Sequence, residues 1–107
     1  MFGFIKKLIG IDSESDIKEK IKEGAFLVDV RTPTEFDGGH VKGSINIPLD
    51  RIEVSLNKFK DKKNIIVFCR SGNRSSQAKS ILERNGFINV INGGTWQSVN
   101  QLKNAIS

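Results

Sequence analysis

Apolar residues in this chain follow two rhythms that alternate along its length. Ala25-Phe26-Leu27-Val28-Asp29-Val30 and Asn64-Ile65-Ile66-Val67-Phe68 are short apolar runs without alternation. Runs of this kind read as strands buried on both faces of a parallel sheet. Elsewhere apolar positions recur three or four apart, as on one face of a helix: Ile17 and Ile21; Ile52, Leu56 and Phe59; Ala78, Ile81 and Leu82; Trp96, Val99 and Leu102. Punctuation agrees with this division. Cap residues and acids over Asp12-Ser13-Glu14-Ser15-Asp16 open the first helix and Gly24 stops it. Thr32 caps a brief helix with Pro33 at its first position, and Asp37-Gly38-Gly39-His40 ends it. Ser44 to Ile47 predicts a short strand closed by Pro48, and Leu49 to Phe59 a helix. Asn85-Gly86 closes the helix that starts at Ser75, Phe87 to Ile91 predicts the next strand, and Asn92-Gly93-Gly94 a turn into the last helix. Strands alternating with helices predict an α/β fold: a doubly wound, mainly parallel sheet with helices on both faces, its ligand site at the carboxyl ends of the strands.

Cys69, the only cysteine, falls at such an end, between the most apolar strand and the helix that follows. Backbone N–H groups in the intervening loop and first helical turn lack intrahelical partners, and the helix dipole adds positive potential there. Arg70 and Arg74 add two permanent charges in a fork geometry suited to sulfo or phospho oxygens. A cysteine so placed has its pKa lowered from ~8.5 into the range ~3.5–7.5, making it a nucleophile at neutral pH. Two other polar residues stand out. Asp29 interrupts a buried strand and needs a partner, which Arg31 supplies as a structural ion pair. His40 is the only histidine, and nothing in its position makes it a base for Cys69, so its ring is expected to bond loop backbone.

With 107 residues the chain forms one domain. The boundary is drawn after an apolar leader, residues 1–12, leaving the domain over 13–107. The leader carries Lys6 and Lys7 in its middle, unlike a secretory signal, and no run reaches the length of a membrane span. No stable membrane insertion is expected, and the cytoplasm is the expected location. A net charge of +5 is spread over scattered lysines without interleaved aromatics, which argues against a nucleic-acid partner. A single cysteine excludes an internal disulfide and a cysteine-built metal site. It also means that a sulfur or oxidation state acquired at Cys69 must be removed by an outside acceptor.

Four stretches, in order, resemble the signatures of single-domain rhodaneses: Leu27-Val28-Asp29-Val30-Arg31; Glu35-Phe36 with Gly39-His40-Val41 and Gly43-Ser44 through Asn46-Ile47-Pro48; Cys69-Arg70-Ser71-Gly72-Asn73-Arg74-Ser75; and Gly93-Gly94 with Trp96. The resemblance covers Ile17 to Leu102. It implies a rhodanese-like fold and a sulfurtransferase needing no cofactor or metal. Such an enzyme takes a sulfane sulfur from a small donor such as thiosulfate, or from a persulfidated protein, and passes it to cyanide or a thiol. By the same resemblance Cys69 carries the persulfide, the amides of the loop from Cys69 through Ser71, Gly72 and Asn73 to Arg74 and Ser75 point at the sulfur, and Arg70 and Arg74 hold the donor's sulfonate. Asp29 and Arg31 match a supporting pair near the loop. The tail departs from the pattern: Trp96 comes early after the glycines and Asn92 replaces an apolar residue. Phosphatases and arsenate reductases of related fold place five residues between cysteine and arginine; here four separate Cys69 from Arg74. A phosphatase or arsenate reductase is therefore a less favoured alternative than a persulfide carrier that docks a partner and turns over small donors poorly.

Overall fold

The computed structural model describes residues 10–106, so residues 1–9 of the expected leader lie outside the described residues. Helix α1 (Glu14–Lys22) starts where Ser13 Oγ accepts the Asp16 N–H at 3.2 Å, with acids in its first turn and lysines in its last. Four parallel strands follow in the spatial order β2-β1-β3-β4: β1 (Phe26–Asp29), β2 (Ile45–Asn46), β3 (Ile65–Cys69) and β4 (Val90–Thr95). Helix α2 (Pro33–Asp37) follows β1, α3 (Asn73–Arg84) follows β3, and α4 (Trp96–Ile106) follows β4.

Side chains of β3 alternate between two cores. Ile65, Val67 and Cys69 face Ala78 and Leu82 of α3 together with Ile52 and Phe59. Ile66 and Phe68 face Ile17 of α1 and Val99 of α4. Every β3 residue is buried, as its unbroken apolar run requires, and the doubly wound arrangement is present. The last helix packs despite the early Trp96: Val99 is fully buried, and the Arg31 guanidinium lies 4.7 Å over the Trp96 ring.

Two expected elements differ. Leu49 to Phe59 is not an α-helix but two 3-10 segments, Leu49–Arg51 and Glu53–Phe59, the second kinked at Ser55 (φ −120°, ψ 18°). The segment delivers Ile52 and Phe59 to the core while leaving Val54 exposed. Tertiary anchoring of those two residues, not an α-helical repeat, sets its shape. The last strand also starts later than expected and continues through Asn92-Gly93-Gly94, where a turn was predicted. Asn92 faces Val67 and Gly94 faces Phe68, so Gly93 is the extra residue of a β-bulge. A Cβ on Gly93 would meet the Cγ2 atoms of Ile66 and Val99 at 2.9 Å each, so glycine here serves close approach of helix and strands. The chain turns instead at Thr95, whose Oγ1 accepts the Ser98 N–H at 3.1 Å.

Candidate active site

Strand β3 delivers Cys69 to the carboxyl edge of the sheet, and the loop Arg70-Ser71-Gly72 folds back over it before α3 begins at Asn73. Gly72 makes the fold-back: at φ +98° it occupies the left-handed region that glycine enters freely. This conformation points its N–H at Cys69 Sγ, 3.0 Å away. Ser75, buried in the first turn of α3, brings its Oγ to 3.5 Å from the sulfur. Burial pushes the Cys69 thiol up; the Ser75 hydroxyl contact and the backbone N–H groups of Ser75, Gly72 and Ser71 outweigh it and hold the thiol below its ordinary value. The residue itself is fully covered, with no exposure to solvent.

The two arginines have different settings. Arg70 is exposed and has no ion-pair or hydrogen-bond partner among the described residues. Arg74 is engaged in a bidentate pair with Glu35, Nη1 to Oε1 at 2.7 Å and Nη2 to Oε2 at 3.0 Å. The Arg74 guanidinium, with the Thr32 N–H, pulls the Glu35 carboxyl down to about 2, and Glu35 in turn raises Arg74. Glu35 also completes a capping box with Thr32, so one carboxylate closes α2 and ties it to α3. Beside Arg74 runs an open groove of about 670 Å³ floored by Pro48, Leu49, Val54 and Ile81.

Asp29 and Arg31 form the expected pair. Arg31 Nη2 lies 2.7 Å from Asp29 Oδ2, Nε reaches both carboxylate oxygens, and both residues are buried. Arg31 also donates to the carbonyls of Glu35 and Gly39, so the pair holds the α2 region against the end of β1. His40 stacks on Phe36 at 3.8 Å with Nδ1 2.8 Å from the Phe36 carbonyl, the backbone role expected of it. Among the described residues no group of histidine, cysteine and carboxylates is placed to hold a metal ion, and no helix is long and apolar enough to cross a membrane.

Sequence reading missed the parts Glu35 and Asn92 play. The fully buried Asn92 accepts the Ser75 hydroxyl at 2.7 Å and the Gly94 N–H at 3.0 Å on its Oδ1. Its backbone N–H donates to Asp12 Oδ2 at 2.7 Å, drawing residue 12 onto the back of the site. The signal for Asn92 was a polar residue where the resembled pattern has an apolar one; Glu35 gave none beyond its place beside Phe36 in that pattern.

Residues 13–97 match the rhodanese-like domain family. A Bacillus subtilis relative, the uncharacterized protein YqhL, is 38% identical over 68 residues, 64% of this chain, and the chain spans only 54% of that protein's length. A protein of Allochromatium vinosum named sulfurtransferase is 33% identical over 84 residues, covering 77% of this chain and 78% of its own. Among solved structures, a rhodanese with anions from Escherichia coli superposes with a TM-score of 0.64 at 36% identity, over 69% of this chain and 89% of that one.

Proposed function

This chain belongs to the rhodanese-like domain family, whose relatives include a sulfurtransferase, and we propose that it moves a sulfane sulfur from an anionic donor such as thiosulfate to cyanide or a thiol through a persulfide on Cys69. The observation that carries this reading is the Gly72 N–H aimed at Cys69 Sγ at 3.0 Å, where a buried strand meets a helix N-terminus. Amides converging there favour negative charge on sulfur, first as thiolate and then as the terminal persulfide sulfur. The Cys69 thiolate attacks the outer sulfur of thiosulfate; a new S–S bond forms, the old one breaks, and sulfite leaves with the electron pair. Cyanide or a thiolate then attacks the terminal sulfur, taking it as thiocyanate or a new persulfide and returning Cys69 as thiolate. No oxidant, metal or cofactor enters either step. The similar Escherichia coli rhodanese is described with anions, in keeping with an anionic donor.

A second reading, a persulfide carrier loaded and unloaded by protein partners, draws on a specific observation. Glu35 occupies the Arg74 fork, leaving Arg70 as the exposed cation for a donor's oxygens, and the apolar groove beside Arg74 offers a partner surface.

Intact mass after incubation with thiosulfate tests the first step: a gain of one sulfur, reversed by a thiol reductant and absent in Cys69→Ser, is expected. Full transferase activity in Cys69→Ser sinks both readings. Transfer from a persulfidated protein much faster than from thiosulfate favours the carrier.

A further inference from the structure

The carboxylate of Glu35 is held from two sides. On one side Oε1 accepts the Thr32 N–H at 3.0 Å and the Thr32 hydroxyl at 3.1 Å, which fixes it at the start of α2. On the other, its two oxygens take Nη1 and Nη2 of Arg74 at 2.7 and 3.0 Å. An internal anion thus fills the Arg74 fork in the bidentate geometry that a donor's oxygens would need. Glu35 stays ionised wherever the Cys69 thiolate can react, its carboxyl being pulled down to about 2. The pair is nonetheless within reach of solutes, since its side chains are 31% and 28% exposed. Arg70, next to Cys69, is exposed and has no partner among the described residues.

We propose that Glu35 is a specificity-determining residue: by filling the Arg74 fork it lowers the site's affinity for donors that present a small oxyanion, such as thiosulfate, relative to organic persulfides. The proposal rests on Cys69 as the sulfur acceptor, as above, and adds which donors the site disfavours. With either donor the Cys69 thiolate bonds to the sulfane sulfur, and sulfite or an organic thiolate leaves with the electron pair. An oxyanion gains Arg74 only by displacing a carboxylate that Thr32 keeps in place. An organic persulfide asks nothing of that fork, so the carboxylate costs it nothing.

Glu35→Gln is the test, because glutamine also closes a capping box but pairs only weakly, as a neutral amide, with a guanidinium. Binding is read first in the Cys69→Ser background, where thiosulfate cannot transfer its sulfur. Its dissociation constant, taken from loop amide shifts in an NMR titration, is expected to fall about two- to fivefold on Glu35→Gln, the worth of a partly exposed ion pair. Glu53→Gln removes the same charge from the groove beside Arg74 without touching the fork, and its effect is expected to be smaller. An unchanged constant in Glu35→Gln, or an equal fall in Glu53→Gln, overturns the proposal. Where Glu35→Gln does not fold, lysine variants decide: Arg70→Lys is expected to weaken binding more than Arg74→Lys, and an equal or larger loss with Arg74→Lys overturns the proposal. In turnover, Glu35→Gln is expected to raise the ratio of kcat/KM for thiosulfate to that for 2-hydroxyethyl persulfide by the same factor, through KM, and an unchanged ratio overturns the selectivity. Absence of turnover with both donors fails the sulfur-transfer reading instead, and the binding measurement still decides this one.

Discussion

Arg31 illustrates how much one side chain can be asked to hold. Its guanidinium meets the Asp29 carboxylate, two backbone carbonyls and the Trp96 ring, with almost no surface left to water. Removing one member of such a pair strands the other charge without solvent. Arg31→Leu is therefore expected to destabilise the fold by about 3–5 kcal/mol in chemical denaturation. Arg31→Lys recovers only part of this loss, since a point charge cannot reach the same four acceptors. The pairing itself was legible, because a carboxylate inside an apolar strand demands a neighbour and Arg31 is two residues away. Glu35 was not: its partner Arg74 is 39 positions downstream, and no spacing rule connects a helix-capping carboxylate to a loop that distant. Asn92 stood out only as polar where apolar was expected; what it bonds depends on the register of β4.

At the scale of elements, the central strand and the helix after it follow directly from residues 65–82, because complete burial leaves an apolar run no other role. The Asn92-Gly93-Gly94 stretch misled for a physical reason. Glycine marks turns, but it also marks places where two backbones or a strand and a helix come too close for a Cβ, and sequence alone does not separate the cases. The two uses predict different costs. Gly93→Ala drives a methyl against Ile66 and Val99 and is expected to cost about 1–3 kcal/mol, read as a drop in Tm. Gly86→Ala meets open space and costs only the strain of an alanine at φ +94°, about 1 kcal/mol. A larger loss at Gly86 than at Gly93 contradicts the bulge. The 3-10 segments went unread for a related reason: Ile52, Leu56 and Phe59 satisfy a helical spacing, yet the core they pack into is built from distant residues of β1, β3 and α3.

Across the whole molecule, the parallel sheet gathers the ends of β1, β3 and β4 at one edge, and the bonds there tie segments far apart in the chain. Glu35 joins α2 to α3 by way of Arg74, and its carboxyl sits at about 2 instead of the ordinary 4.5. A folded-state value below the unfolded one means that its contribution to stability is complete above about pH 4.5 and is lost as pH falls toward about 2. Urea midpoints measured across that window are expected to fall more steeply for the native chain than for Glu35→Gln, which lacks this titration. The doubly wound, parallel character of the sheet and the position of Cys69 at its carboxyl edge were readable from the alternation of strands and helices; the strand order and the ties across that edge depend on long-range contacts and were not.

The covered sulfur sets a kinetic consequence. Cys69 has no exposed surface beneath the Gly72 loop, so an encounter with a reagent is expected to wait for the loop to lift. At saturating reagent the observed rate then stops rising and reports the lifting frequency, one ceiling shared by chemically unrelated partners.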